Sequence, residues 1–386
     1  MTKGGIRSIW YRLYHGETAF DFVGPIRRWF TISGLVILVG LLSLGIRGLN
    51  FGIDFRGGTA WEVPTASPSV EEARDALRPL GLNDVRVQVL GRNIVRVQAD
   101  LRASSDEERE SQKQEVARVL AEAEGVDVAQ VSVNEVGPSW GDEITKKARN
   151  ALLAFLVVIT IYISFRFEPK MAVASLVALA HDILITVGVY SLSGFEVTPA
   201  TVVAFLTILG YSLYDTIVVF DKVEENTKGL AATGRMTYVD VVNLSMNQVL
   251  MRSLNTSLTA IMPIFSVLVV GVFILGATTL QDFGLALLIG LLVGSYSSLF
   301  IAAPVLARLK EREPRYAAIR QRLESRPGSG GPLTPAAAAA GRVSSGGGTG
   351  RQVPAGVGAQ PESDGGSRPR TNRGSAPRPR KKGRRR

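Results

Sequence analysis

The sequence predicts an α-helical membrane bundle of six transmembrane helices with a small α+β, ferredoxin-like extracytoplasmic domain. Three observations predict this fold class. The 386-residue chain is 46% hydrophobic, and its apolar residues gather in six runs, each close to the roughly 20 residues that a helix needs to cross the hydrocarbon core. A mostly polar segment separates the first run from the other five. The loops between the runs alternate in their content of Lys and Arg.

The apolar runs set the expected domain boundaries. They lie at about 29–46, 148–165, 171–192, 198–221, 254–276 and 280–306. The first run is read as a retained anchor, because it starts late and no small-residue cleavage site follows it. The chain is therefore divided into a cytoplasmic N-terminal segment (1–28), a first transmembrane helix (29–48), an extracytoplasmic α+β domain (49–145), helices two to six (146–306) with a cytoplasmic loop at about 222–250, and a basic, mostly disordered cytoplasmic tail (307–386).

The loop charges predict the orientation. Basic residues occur before the first run, in the link 166–170, in the segment between runs four and five, and in the tail, whereas 193–197 and 277–279 contain none. Because cytoplasmic loops are enriched in Lys and Arg, both termini are expected in the cytoplasm. The tail holds 19 basic and 5 acidic residues within 307–386, and from residue 325 onward it is too polar and Gly/Pro-rich to fold.

The polar segment after the first run has the pattern of a small α+β domain. Residues 85–89 and 94–98 alternate as half-buried strands do, and Gly91–Asn93 forms the turn between them. Helices are expected at 70–80 and 105–123, and further strands at 59–63 and 130–133, which completes a β-α-β-β-α-β order. Its titratable residues are scattered, which favours a solvated surface over a catalytic site. Because an open sheet offers an edge for strand addition, extended polypeptide or a partner domain is the expected ligand.

The composition excludes several classes of site. The chain has no Cys and two His residues, His15 and His181. No phosphate-binding loop, H-E-x-x-H helix or G-x-S-x-G elbow is present, which argues against an ATPase, a zinc protease and a serine hydrolase. We therefore predict no enzymatic activity, no cofactor and no metal site.

Ionisable residues inside membrane-spanning helices are costly, so each is a functional candidate. Asp215 lies within the fourth run, one helical turn from Tyr211. An apolar environment favours the neutral form of a carboxyl group, so Asp215 is expected to take up and release a proton. The alternative is a buried acid that only hydrogen-bonds a neighbouring helix. Asp182, in the third run, is equally compatible with a second relay or with a structural hydrogen bond.

Arg252 is expected at the entrance to the fifth run, with Thr256 one turn later on the same face. A guanidinium group keeps its charge at physiological pH and could act as the counter-ion of Asp215. Alternatively, Arg252 extends to the lipid headgroups. Asp221 and Asp282, at the ends of their helices, are expected to have structural roles.

The sixth run carries Gly290, Gly294 and Ser298 at four-residue spacing. Small residues at this spacing allow two helices to approach closely. The partner helix is expected either within this chain or in another subunit.

Six stretches of the chain, between about residues 20 and 306, resemble the SecF family of the bacterial Sec protein-export machinery. Asp54, Gly57 and Gly58 lie in Phe51–Thr59, which is similar to the family's Gly-Ile-Asp-Phe-x-Gly-Gly signature; Gly137 and Pro138 resemble the motif before the second helix. The other similar stretches are Phe20–Phe30, Tyr211–Asn226, Asn247–Met262 and Leu280–Pro304. Tyr214 and Ser253 depart from the family, where Asn and Thr are common.

This resemblance implies a subunit that pairs with SecD in a pseudo-symmetric bundle similar to resistance-nodulation-division transporters. It implies location in the bacterial cytoplasmic membrane, work with the SecYEG channel and the SecA motor, and use of the protonmotive force to help export the emerging preprotein. Asp215 would be the proton-pathway acid, with Arg252 and Thr256 as its partners. The tail is not a general family feature; its basic cluster is expected to bind anionic membrane lipids or ribosomal RNA, or only to enforce topology.

Two other functions remain open at this point. One is a proton-coupled exporter of small molecules or lipids, although such exporters usually carry two large outside domains. The other is a non-catalytic scaffold for the channel, in which Asp215 and Arg252 would tolerate neutral replacement.

Overall fold

The computed structural model describes residues 18–82, 85–101, 105–229, 236–274 and 280–325. In chain order the helices are α1 (Ile26–Arg47), α2 (Ile53–Arg56), α3 (Val70–Leu77), α4 (Asp106–Ala123), α5 (Pro138–Arg166), α6 (Pro169–Ser193), α7 (Pro199–Gly229), α8 (Tyr238–Ser266), α9 (Gln281–Ser297), α10 (Ala303–Glu311) and α11 (Pro314–Glu324). The strands are β1 (Asn50–Phe51), β2 (Gly58–Pro64), β3 (Arg86–Leu90), β4 (Ile94–Ala99), β5 (Ser132–Val136) and β6 (Glu196–Val197). Most of the predicted N-terminal segment and tail lies outside the described residues.

The six predicted membrane spans are confirmed. Among the described residues, six helical stretches are long and apolar enough to cross a membrane: Ile26–Arg47, Ser139–Arg166, Pro169–Ser193, Pro199–Lys228, Tyr238–Val272 and Gln281–Glu311. The last two include π-helical segments, at Val267–Ile274 after α8 and at Ser298–Ala302 between α9 and α10. Both segments widen the helix within its span.

Several helices extend beyond the apolar runs that predicted them. α7 reaches Gly229 and α8 begins at Tyr238, so most of the segment 222–250, expected as a loop, is helical. α8 starts early because Thr237 and Asp240 form a reciprocal capping box, which satisfies the first backbone N–H groups. Polar residues that a hydropathy run omits therefore still belong to these helices.

The α+β domain has the predicted β-α-β-β-α-β order. Its four strands form an antiparallel sheet in the order β3-β4-β2-β5, and α3 and α4 cover one face. The core between them contains Trp61, Leu77, Val97 and Leu120, all fully buried. The fourth strand begins at Ser132 instead of residue 130, because Val128–Gln130 form a 3₁₀ turn capped by Asp127.

The first and third spans pack without intervening side chains at their closest point. A Cβ atom on Gly40 of α1 would lie 2.7 Å from the Cα atom of Gly188 on α6. Further along the same interface, the hydroxyl groups of Ser43 and Ser191 lie 3.0 Å apart. Small residues thus bring the backbones of α1 and α6 together, as is common between membrane helices.

The α+β domain joins the bundle through backbone pairing. β1, which follows α1, pairs in parallel with β6, which connects α6 to α7. The backbone N–H of Gly52 continues this ladder by donating to the carbonyl of Val197 at 3.0 Å. The segment entering the domain is therefore held against the loop that leads into α7.

Candidate functional site

A buried polar network lies inside the helical bundle, where α1, α6, α7, α8 and α9 meet. Both acids that the sequence singled out within the spans, Asp182 and Asp215, belong to it. Each is at least 94% buried. Because water does not reach them freely, the neighbouring side chains decide which of their oxygens are satisfied.

Asp215 is only partly satisfied. Its Oδ1 accepts a hydrogen bond from the Ser253 hydroxyl of α8 at 3.0 Å. Its Oδ2 is buried and has no hydrogen-bond partner among the described residues. A buried carboxyl oxygen without a partner is costly. This oxygen is therefore the position at which Asp215 can hold a proton.

Asp182 differs, because both of its oxygens are occupied. Its Oδ2 accepts from the hydroxyl groups of Ser212 at 2.5 Å and Ser297 at 2.9 Å, and its Oδ1 lies 3.1 Å from Nδ1 of His181. The other ring nitrogen of His181 lies 3.0 Å from the hydroxyl of Ser33. Asp182 thus links α6 to α7 and α9, and His181 extends the link to α1.

The surroundings of the two acids are connected along α7. Ser212, which binds Asp182, lies three residues before Asp215, and its carbonyl accepts hydrogen bonds from Thr216 at 3.1 Å and Ser298 at 3.4 Å. The Thr216 hydroxyl also donates to the Ser298 hydroxyl at 3.2 Å. These hydrogen bonds run from Asp182 through the hydroxyl and the backbone carbonyl of Ser212 to Ser298, which also acts on Asp215.

Sequence reasoning did not assign the serines beside the two acids to a network, and Ser253 was noted only as a departure from the family. Ser212, Ser253 and Ser297 fill the sites beside the two acids, and Ser33 lies beyond His181. The sequence partly indicates their positions, since Ser212 is one helical turn from Asp215 and Ser297 adjoins Ser298. The sequence does not show which helices face each other, and this information was needed to choose these serines from the many others in the spans.

Arg252 does not form the contact ion pair expected with Asp215. Its side chain is exposed, and it makes none of the ion pairs found among the described residues. Ser253, the next residue, takes the place beside the carboxylate, and Arg252 acts on that group only at longer range. Thr256 is held by its own helix, because its hydroxyl donates to the Arg252 carbonyl at 3.0 Å.

The small residues of α9 face α7 in the same chain. A Cβ atom on Gly290 would overlap the Ile208 side chain, and one on Gly294 would lie 2.8 Å from the Cβ of Ser212. Ser298, one turn further, makes the hydrogen bonds to Ser212 and Thr216 described above. The stripe therefore brings α9 close to the helix that carries Asp215.

The signature residues lie at the junction of the bundle and the α+β domain. Gly57 and Gly58 have φ angles of 77° and 122°, which favour glycine. A Cβ atom on Gly141 would lie 2.9 Å from the Phe55 carbonyl. Gly137 caps α5, whose first residue is Pro138, and Asp54 lies in the first turn of α2. These residues shape a close backbone crossing between α2 and α5.

The two weaker candidates, Asp221 and Asp282, lie on α7 and α9. Asp221 pairs with Arg166 at 2.5 Å where α5 and α7 approach each other. Asp282 lies in the first turn of α9, and its backbone carbonyl accepts a hydrogen bond from the Tyr190 hydroxyl at 3.3 Å.

Comparison with known families matches two parts of the chain. Residues 115–312 match the family described as protein export membrane protein SecD/SecF, C-terminal, and residues 42–64 match the SecD/SecF GG motif. The second match covers Asp54, Gly57 and Gly58. The first covers α5 to α10 and includes both buried acids.

Individual proteins extend the match over most of the chain. The protein translocase subunit SecF of Streptomyces coelicolor is 43% identical over 314 residues, which cover 81% of this chain and 82% of that protein. The subunit of the same name from Mycobacterium tuberculosis strain H37Rv is 42% identical over 339 residues, covering 86% and 76%.

A solved structure shows the same fold. The crystal structure of SecDF from Thermus thermophilus, described as a translocon-associated membrane protein, matches with a TM-score of 0.67 and 35% identity. The match covers 77% of this chain and 39% of that one, so the chain corresponds to well under half of the SecDF chain. By its family matches and its identity to curated relatives, this chain belongs to the SecF family of protein translocase subunits.

Proposed function

We propose that this subunit, together with a SecD-type partner, uses the protonmotive force to assist export of preproteins across the bacterial cytoplasmic membrane. Asp215 takes up and releases the proton, and the α+β domain contacts the emerging polypeptide. Both termini lie in the cytoplasm and the α+β domain lies outside, as the loop charges predict. The channel SecYEG and the motor SecA are the partners that the family implies.

The state of Asp215 is the observation that carries this proposal. A proton carrier needs an oxygen that can change its hydrogen-bond partner, and Asp215 has one such oxygen, Oδ2, in the centre of the bundle. Asp182 has none, because two serine hydroxyls donate to one of its oxygens and Nδ1 of His181 lies against the other. We therefore assign proton transfer to Asp215 and a helix-linking role to Asp182.

The exposed polar face beside Asp215 supports a partner chain. Arg252, Asn255 and Thr259 of α8 and Tyr214 of α7 are exposed on membrane-spanning helices. Polar and charged groups are unfavourable against lipid tails and usually face other helices or a water-filled cavity. A SecD-type helix bundle packed on this face would cover them, beside the two helices that hold Asp215 and Ser253.

The test is the substitution Asp215→Asn in membrane vesicles that contain the partner subunit and the channel. Asparagine keeps the size of the side chain but cannot release a proton. We expect the stimulation of preprotein export by the proton gradient to be lost, while export driven by ATP alone continues. The measurement is the rate of preprotein translocation with and without the gradient.

The matched control is Asp221→Asn, the same exchange on the same helix at a pair that lies on the surface. It should leave the gradient stimulation intact. If Asp215→Asn retained full stimulation while the chain accumulated normally, the subunit would act as a scaffold and the proposed proton transfer would be wrong.

A further inference from the structure

A buried polar joint connects the α+β domain to the start of the Asp215 helix. Glu196 lies in β6, three residues before α7 begins at Pro199, and its side chain is 3% exposed. Its Oε2 accepts from Nη1 of Arg96 at 3.2 Å, and its Oε1 accepts from Nε2 of Gln98 at 2.8 Å. Arg96 and Gln98 both belong to strand β4 of the α+β domain.

The joint is anchored firmly on the domain side. Arg96 also binds Glu62 of β2 through two nitrogens, Nε at 2.9 Å and Nη2 at 2.6 Å. Burial lowers the pKa of Arg96, but attraction by Glu196 and the bond to Glu62 outweigh this and raise it. The guanidinium therefore stays charged and is fixed by the central strands of the sheet.

The joint is equally fixed on the bundle side. The Glu196 backbone pairs with Asn50 in the β1–β6 ladder, and its carbonyl accepts from the Thr201 hydroxyl in the first turn of α7 at 3.4 Å. Gly52 leaves room for the Glu196 carboxylate, since a Cβ atom there would overlap it. A displacement of Glu196 would therefore be transmitted directly to the start of α7.

The charges around Arg96 make separation of the two sides of the joint unfavourable. Glu62 and Glu196 contact this single cation, and the acidic groups of Asp54 and Asp282 lie nearby. If β4 moved away from β6, Glu196 would remain buried without its counter-ion, and removal of one partner from a buried pair is strongly unfavourable. The domain and the helix are expected to move together as long as the pair is intact.

From these contacts we infer that Arg96, Gln98 and Glu196 form the joint that transmits movement between the α+β domain and α7, the helix that carries Asp215. Asp215 lies 16 residues after Pro199, which is about 24 Å along a helix. The joint residues are positioning residues, because none of them reaches Asp215. This inference rests on the proposed function, in which the protonation of Asp215 is coupled to movement of the domain.

The test measures whether the domain responds to the charge of Asp215. Spin labels are placed at Glu71→Cys on α3 and Ser193→Cys at the end of α6, both exposed sites in a chain without native cysteine. Asp215→Asn represents the neutral state. In the full chain with its partner subunit, we expect Asp215→Asn to shift the distance distribution between the two labels.

The joint predicts that this shift depends on Glu196. In the Glu196→Gln background the shift should be lost, and the gradient-stimulated export rate should fall by at least about fivefold, as expected for a lost coupling between sites. Lys113→Gln is the matched control. It breaks an ion pair with Glu135 inside the same domain, 2.8 Å long, and should leave both measurements unchanged.

Different results would contradict the joint and the proposed function. A shift that persists in Glu196→Gln, or no shift when Glu196 is present, would overturn the joint even if Asp215→Asn abolishes gradient stimulation. Normal gradient stimulation in Asp215→Asn would overturn the proposed function itself. If Glu196→Gln accumulates poorly, Arg96→Gln tests the same joint from the domain side and should give the same loss of the shift.

Discussion

At the scale of single residues, two buried aspartates in one network differ by how many of their oxygens are satisfied. Asp182 accepts hydrogen bonds from two serine hydroxyls and has His181 against its other oxygen, whereas Asp215 has one serine donor. Loss of a hydrogen bond to a charged group costs about 1.5–3 kcal/mol. The same chemical exchange should therefore have unequal effects on stability at the two positions.

We predict that Asp182→Asn lowers the thermal stability of the purified chain more than Asp215→Asn does. The amide at 182 keeps one acceptor oxygen and puts an NH₂ donor in place of the other, so either the Ser212 and Ser297 hydroxyls or Nδ1 of His181 lose their carboxylate acceptor. The expected cost is about 2 kcal/mol. Asp215→Asn should be nearly neutral in stability and still impair gradient-stimulated export.

The measurement is the unfolding midpoint of both variants in the same detergent, beside the export rate. Equal unfolding midpoints for Asp182→Asn and the unsubstituted chain would contradict the helix-linking role of Asp182. Asp182 would then again be a candidate proton carrier.

The acids themselves were predictable from the sequence, because an ionisable residue in an apolar run is conspicuous. Their partners were not. Arg252 was the expected partner of Asp215 on the grounds of charge, yet Ser253 makes the contact, because a rotation of one residue along α8 decides which side chain faces α7. Hydropathy carries little information about this rotation when a helix is apolar on several faces.

At the scale of helices, close backbone contacts at glycine fix which spans are neighbours. Gly40 of α1 meets Gly188 of α6, with room for no side chain between them. Gly45 lies on the same helix, and a Cβ atom added there would have no atom within 4 Å. The two glycines therefore offer a matched pair for separating helix packing from helix propensity.

We predict that Gly40→Ala destabilises the bundle by about 1–3 kcal/mol, the usual cost of inserting atoms into a packed interior. The added methyl group would lie 2.7 Å from a backbone atom, which cannot rotate aside as a side chain can. Gly45→Ala should be neutral or slightly stabilising, since alanine is the better helix former. Thermal unfolding of the two variants in one detergent checks the difference. Similar midpoints for both would show that α1 and α6 are further apart than this structure has them.

Helix existence was predictable from the sequence, but helix length was not. The capping box of Thr237 and Asp240 starts α8 well before its apolar run, and the polar residues that follow are buried against other parts of the chain. Asn243 and Asn247, for example, accept hydrogen bonds from the backbone N–H groups of Phe22 and Phe20, each at 2.9 Å. These long-range contacts, more than 200 residues apart in sequence, have no local signal.

At the scale of the whole molecule, the membrane-spanning surface is not uniform. α5 exposes apolar side chains such as Val157, Val158 and Phe165, which suit contact with lipid tails. α8 exposes Arg252, Asn255 and Thr259 as well as apolar side chains such as Leu258 and Met262. The SecDF chain that this fold matches is more than twice as long as the matched part. In the proposed function, a SecD-type chain covers the polar residues of α8.

We predict that this face contacts the partner subunit in the membrane. A photo-activatable cross-linker attached to Thr259→Cys should form a covalent adduct with the SecD-type chain, because Thr259 lies two helical turns beyond Arg252 on the exposed side of α8. The same reagent on Val158→Cys, which is 64% exposed on α5, should label lipid instead. The absence of native cysteine makes each attachment unique. The readout is the mass of the adduct after irradiation of intact membranes.

Equal yields of the protein adduct from both positions would mean that the polar face is not the contact. Arg252 would then have to reach a water-filled cavity or the headgroup region.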